Sequence, residues 1–379
     1  MRKTQLTLAI AAALALSATA SAGTISFQGV KTPTTDTEKR SILAAKSARI
    51  DGKKYRLDYN TIMRSGDEPA GSAFPFGTLV DENGANIGRV SNDNDFSSLI
   101  VGGDGGLYMV SHFESRPAAM YLTELLQDSE TGQLSPVKTR PLDFSGVNGG
   151  WVHCAGSVTP WGNHLGSEEY PPDAKQWRDG NVSSYNASMA QYFPGWDGYG
   201  TIQEAALDLV NPYDYGFTTE VEVKNYEEAT VTKHYAMGRV AIELSYVMPD
   251  EKTVYTSDDG SRVGLFMFVA DTEGDLGAGT LYAAKFNQAS TWYTEKDTRV
   301  AADMRDGGYG GIGWIELGSA TNDQIKAIID GGVTFGDIFE ENVEGCTVIQ
   351  HRSASKECLK VKDRVAAAFR ERSRGAGCR

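Results

Sequence analysis

Positive charge is in short supply in this chain: 36 Lys and Arg face 50 Asp and Glu, a formal net charge of −14. So acidic a chain lacks the cationic face that phosphate backbones and anionic membranes require, which argues against nucleic acid or a membrane surface as partner. An anionic substrate would need local cations or metal ions to approach it. Long apolar runs are also missing. The run Leu6–Leu16 is too short to span a bilayer, and no other stretch approaches that length. It follows a positive Met1-Arg-Lys-Thr4 start and precedes Ala20-Ser-Ala22, the pattern of a secretory signal peptide over residues 1–22, cut before Gly23. The mature chain, residues 23–379, is therefore expected to be soluble and exported to the periplasm or medium. No Arg-Arg pair precedes the apolar run, which indicates the general secretory route. The glycine-rich stretch Gly307–Gly313 lacks the lysine and hydroxyl of a phosphate-binding P-loop and reads as a loop.

Cysteine is scarce too, at four residues. Cys346 and Cys358 are spaced to close a disulfide loop, the usual reading for an exported chain. Cys154 has no nearby partner, and an unpaired exported thiol calls for a reason such as metal ligation. Cys378 has no evident role.

What the chain does have is the texture of an all-β protein. Glycine numbers 42, and short apolar runs are separated by Gly, Asn and Asp clusters. Strand candidates are Gly77–Val80, Ser98–Val101, Leu107–Ser111, Thr253–Thr256, Val263–Val269 and Thr280–Ala284. Turns at Asp81–Gly84 and Asp104–Gly106 recur at short intervals, as in a propeller or sandwich, although no internal repeat is visible. Thr201–Val210 reads as a short amphipathic helix inserted between strands. Asn322–Asp330 reads as another, capped by Thr321 or Asn322. Residues 352–379 carry nine Lys or Arg against three Asp or Glu. They read as a basic helix, either part of the fold or a binder of an acidic partner or surface.

The segment Trp151-Val-His-Cys-Ala-Gly-Ser-Val-Thr-Pro-Trp-Gly-Asn-His-Leu-Gly-Ser-Glu-Glu-Tyr170 carries the most chemistry. Proline and glycine force a turn between Cys154 and the pair Glu168 and Glu169, so thiol and carboxylates can point at one place. A soft thiolate with hard carboxylates suits iron or zinc. Read from spacing alone, a buried cysteine beside two solvated glutamates is the better account.

The wording of this segment, Cys-x-Gly-x-x-Thr-Pro-Trp-Gly-x-x-Leu-x-x-Glu-Glu, resembles the signature of the PhoX-type bacterial alkaline phosphatases. Three further stretches follow in the family's order. His234-Tyr-Ala-Met-Gly-Arg-Val-Ala-Ile-Glu-Leu-Ser245 is similar to a Gly-Arg-x-x-His-Glu segment, Ser257-Asp-Asp-Gly260 to a Gly-Asp-Asp turn, and Gly279-Thr-Leu-Tyr-Ala-Ala-Lys-Phe286 to a Gly-Thr-Leu-Tyr-Val-Ala-Arg-Phe strand. The resemblance implies a β-propeller with short helical insertions that holds a ferric pair and calcium and hydrolyses small phosphate monoesters as a monomer. It implies Cys154, Glu168 or Glu169, and Glu243 as metal ligands, with Glu169 favoured for the inner role. Arg239 is implied as a phosphate contact or as a partner holding Glu243. The family histidine before that glutamate is Ile242 here. His153, His164 and His234 match no family ligand and read as structural groups, and Asp258 and Asp259 read as turn residues. Family members extend further, through an Arg-Pro-Glu segment and later acidic ligands. The propeller is therefore expected to be incomplete in this chain, and the chain to be poorly stable and nearly inactive alone. Two other classes compete: a non-catalytic calcium-stabilised propeller scaffold, and a calcium-dependent propeller hydrolase of other esters.

Overall fold

The computed structural model describes residues 24–41, 43–260, 263–288, 310–350 and 356–362. The expected leader, residues 1–22, lies outside the described residues, as do Gly307 and Gly308. The chain divides into two compact units at Thr61 and Ile62. In the first, β1 (Ile25–Phe27), β2 (Ser47–Ile50) and β3 (Lys53–Arg56) form an antiparallel meander. Asp51 and Gly52 close the β2–β3 hairpin with φ of 50° and 79°. Both central residues at positive φ give the turn whose twist matches that of the strands.

The second unit is a succession of antiparallel meanders. A short pair, β4 (Thr78–Val80) and β5 (Asn86–Val90), comes first. Next comes the sheet β6 (Asn94–Val101), β7 (Leu107–Phe113), β8 (Ala119–Gln127) and β9 (Leu134–Pro141), in chain order. The following sheet joins β10 (Ser157–Val158), β11 (His164–Gly166), β12 (Thr218–Val223) and β13 (Ala229–His234). Then come β14 (Ile242–Val247), β15 (Thr253–Asp258), β16 (Leu265–Thr272), β17 (Asp275–Gln288) and β18 (Gly310–Thr321). Last, β19 (Phe339–Glu341) and β20 (Thr347–Gln350) flank β21 (Lys356–Val361).

Each expected strand lies in one of these sheets, so the all-β expectation holds. Four-stranded meanders are the units from which propeller blades are built; among the described residues no closed ring is formed. Inner strands such as β7 are buried on both faces, whereas the outer half of β6 alternates buried and exposed, as a half-covered strand should. Ile100, Val110, Leu122 and Val221 form one core across two consecutive sheets, and Leu165, Val247, Val254 and Phe268 form the next. Each such side chain contributes about 1.5–3 kcal/mol by leaving water.

Between β11 and β12 the chain makes a helical insertion. Its helix Ile202–Leu209 is capped by Thr201, whose hydroxyl accepts from Glu204 N–H while Glu204 accepts from Thr201 N–H, a reciprocal cap. The insertion packs Trp177, Met189, Tyr192, Ala205 and Ala206 around Trp151. The helix Asn322–Asp330 has Thr321 as its cap. Two expectations need correcting. Gly310–Gly313 are not loop but the start of β18, held by their pairing with Lys285–Gln288. Lys356–Val361 are a strand rather than part of a basic helix, because β21 pairs on both sides. The remainder of the expected helix lies outside the described residues. Cys346 and Cys358 are disulfide-bonded, with Cα atoms 5.3 Å apart.

Candidate metal centre

Three segments meet at Val152. Its N–H donates to Ser115 O at 3.1 Å, and its carbonyl accepts from Glu169 N–H at 2.9 Å. One residue thus ties the stretch after β7 to the glutamate pair after β11. Val152 has φ of 40°, a left-handed conformation that is costly for a β-branched residue and persists where the surroundings over-determine it. Two residues on lies Cys154, buried and free. Its N–H donates to Ser167 Oγ at 3.2 Å, and its carbonyl accepts from His112 Nδ1 at 2.5 Å. The irregular segment is therefore fixed on both sides of the thiol.

Carboxylates converge on that thiol from other strands. Cys154 Sγ lies 3.4 Å from Asp95 Oδ2 and 3.6 Å from Glu243 Oε2. Asp95, Glu114 and Cys154 offer ligand atoms within 4.8 Å of one another, and so do Cys154, Glu169 and Glu243. Asp95 and Glu243 both sit where strand register slips, between Asn94 and Ser97 in β6 and between Ile242 and Leu244 in β14. A bulge re-aims a side chain that regular alternation would send elsewhere.

The electrostatics are those of crowded negative charge. Burial pushes the Cys154 thiol far above its usual range, and Glu169, Asp95 and Glu243 add to it. Burial also lifts Glu169 to about 7, opposed by a hydrogen bond from Tyr170 and reinforced by Glu243 and Glu114. Glu114 is raised by burial first and then by Asp95 and Asp93, with Arg116 pulling the other way. One thiol and four carboxylates without a histidine among them form a donor set that fits hard or borderline cations, whose charge would relieve the crowding.

The expectation that Glu168 shares this site is not met. Glu168 is fully buried, and its Oε1 pairs with Lys233 Nζ at 2.9 Å and accepts from Trp151 N–H at 3.1 Å. Its Oε2 accepts from the N–H groups of Gly216 and Phe217 at 2.8 and 3.2 Å. Adjacent residues of an extended segment point to opposite sides, and here Glu169 takes the thiol's side. Arg239 is turned to backbone carbonyls. Its Nε donates to Tyr215 O at 2.8 Å, and its Nη2 to Pro172 O and Pro212 O at 2.6 and 2.9 Å. It lines a largely apolar cavity of about 860 Å³ together with Tyr213, Phe217, Leu281 and Ile329, and none of the five clustered residues borders that cavity.

The histidines read as structural are held by hydrogen bonds. His234 Nε2 meets Glu220 Oε2 at 2.7 Å, and His153 Nδ1 meets Ser167 O at 2.8 Å. His164 Nε2 lies 2.7 Å from His112 Nε2, and its Nδ1 lies 2.7 Å from Ser98 Oγ. Because a carbonyl only accepts, His112 must carry its proton on Nδ1, so His164 donates to His112 and Ser98 donates to His164. Asp258 accepts from Gly264 N–H, while Asp259 accepts from the Tyr170 phenol and stands near Glu169. The latter is more than a turn role.

Sequence reading missed Asp95 and Glu114. Asn92-Asp-Asn-Asp95 looks like a turn cluster, and the bulge that makes Asp95 useful has no composition signal.

The family described as Alkaline phosphatase PhoX matches residues 130–360. The chain belongs to the PhoX alkaline phosphatase family. The PhoX match contains Cys154, Glu169 and Glu243, whereas Asp95 and Glu114 precede it. The chain is also similar to a solved structure of Pseudomonas fluorescens PhoX in complex with vanadate, a transition state analogue, at 17% identity and a TM-score of 0.44. That similarity covers 79% of this chain and 63% of the other, so this chain spans less than two thirds of that PhoX. No curated protein matches.

Proposed function

We propose that this chain is an exported, metal-dependent phosphatase that hydrolyses small phosphate monoesters, with iron and calcium as its metals. Family membership supports the reaction class. The observation that carries the reading is the convergence of Cys154 with Asp95, Glu114, Glu169 and Glu243 within reach of shared cations. Cys154 with Asp95 and Glu243 would hold iron, and Glu114 in the one group and Glu169 in the other offer the hard oxygen donors that calcium takes. Bound cations would act as Lewis acids that neutralise the phosphate and the charge developing on it.

The chain's own part is positioning. The Val152 tie holds the Glu114 and Glu169 segments to the thiol's segment, so ligand carboxylates need little rearrangement to engage. Buried Trp151 and Val152 keep water from the inner side of the site, where a low dielectric strengthens each charge interaction. A site that grips the phosphate and leaves the alcohol outside would accept many monoesters.

A chromogenic phosphomonoester assayed with calcium and iron tests this. The expected result is low, metal-dependent turnover that Glu243→Gln and Asp95→Asn each reduce by about a hundredfold or more, since groups that merely orient ligands already cost about 10–100-fold. Absence of turnover in metal-loaded protein, with iron bound, would instead support a metal-stabilised scaffold.

A further inference from the structure

The cation nearest in effect to the acidic cluster is not Arg239 but Arg116. It lies two residues after Glu114 and is 6% exposed. Its guanidinium carbon stands 4.9 Å from the centre of the Trp151 ring and 4.4 Å from that of the Tyr185 ring, so two aromatic rings pack against it. Its carbonyl is fixed by Arg89 Nη1 at 3.1 Å and Ser188 Oγ at 2.9 Å. The segment is thus anchored independently of the side chain.

The guanidinium is only partly satisfied, by a hydrogen bond to the Tyr185 side chain. Its Nε is buried without a hydrogen-bond partner, and among the described residues it forms no ion pair. Burial draws its pKa below the ordinary value; Tyr185 and then the charges of Glu114 and Glu169 oppose this. A buried cation without a counter-ion is expensive, and two aromatic rings return only part of that cost. Glu114 and Glu169 act on it through space, and both carboxylates have another place, beside Cys154. A planar guanidinium with an unpartnered Nε, whose charge acts on Glu114 and Glu169, matches two oxygens of a phosphoryl group.

We infer that Arg116 is the substrate-binding arginine of this site, gripping the phosphoryl group of the ester. This rests on the metal-site reading above and names the residue that takes the substrate. The role expected of Arg239 passes to a residue whose donors are not spent on backbone carbonyls.

The test uses metal-loaded protein and two variants, Arg116→Met, which keeps an apolar stem against the rings, and Arg116→Lys, which keeps the charge. Orthophosphate binding is measured by calorimetry, phosphomonoester kinetics by initial rates, and metal content by elemental analysis. Arg116→Met is expected to weaken orthophosphate and raise KM about tenfold to a hundredfold, as loss of charge-assisted hydrogen bonds does. Metal content should be unchanged, and Arg116→Lys should recover part of the affinity. Orthophosphate affinity and KM within about twofold of wild type would overturn the inference, and so would loss of metal in step with affinity, which would make Arg116 a support for the ligands. Wild-type protein that binds orthophosphate through Arg116 yet turns over no ester would overturn the phosphatase reading and leave this inference standing.

Discussion

Removing the amine of Lys233 asks what Glu168 is for. Both side chains are fully buried, with Nζ and Oε1 2.9 Å apart. Lys233 also donates to Asp214 O at 2.9 Å and lies 4.7 Å from the Tyr215 ring centre. Lys233→Met keeps the aliphatic stem and leaves a carboxylate inside the protein with backbone donors alone. Deleting one partner of a buried pair costs about 3–5 kcal/mol, about a fifth or more of the total stability of an ordinary domain. Glu168→Gln should cost a comparable amount. An amide cannot accept on both sides, so it would turn an N–H toward Gly216 and Phe217 or toward Trp151. Because the two residues touch, the double variant should lose less than the sum of the singles. Urea unfolding followed by fluorescence reads the stability, and elemental analysis of the folded fraction reads the metal. The opposite outcome is a Glu168→Gln variant with stability within about 1 kcal/mol of wild type, the range of an ordinary surface change, and with its metal stripped. That outcome would restore Glu168 as a ligand.

Acid should unfold the protein through its buried histidines. Burial, then the charges of His112 and His153, hold His164 well below its ordinary value of 6.5, and burial takes His112 to about 4. The folded state therefore binds fewer protons than the unfolded one. The stability these groups contribute is complete above pH 6.5 and falls by about 1.4 kcal/mol per pH unit per histidine down to about pH 4. Urea midpoints across that range should slope in wild type and less so in His164→Gln; a flat wild-type profile would contradict this. N-terminal mass spectrometry of exported protein should find Gly23 as the first residue, and an intact Met1 on cytoplasmic protein would contradict the leader.

Much of the fold was legible because strands announce themselves locally. Leu107–Ser111 and Thr253–Thr256 are short apolar runs between Gly and Asp turns, and Thr201 and Thr321 cap helices by rules that need no tertiary context. Gly310–Gly313 misled, because glycine lowers strand propensity and only pairing with β17 overrides it. The meeting of Cys154 with Glu169 and Glu243 was foreshadowed by motif wording and order. Which of two neighbouring glutamates faced inward was a question of registry, answered by Lys233, a residue 65 positions from Glu168 in the sequence. The setting of Arg239 was not legible, although it stands close to Glu243 along the chain. Gly238, with φ of 90°, turns the backbone between the preceding helical turn and β14, and the guanidinium ends among carbonyls. Asp95 and Glu114 were invisible for a different reason: a bulge and a strand end place them, and neither has a composition of its own.

The central claim is that Cys154 and its carboxylates hold metal, and the metal content of purified protein tests it most directly. Iron and calcium should be found by elemental analysis in wild type, with a visible ferric–thiolate charge-transfer band. Iron and the band should both vanish in Cys154→Ala, with the protein still folded by circular dichroism. Equal iron in wild type and Cys154→Ala would contradict the account.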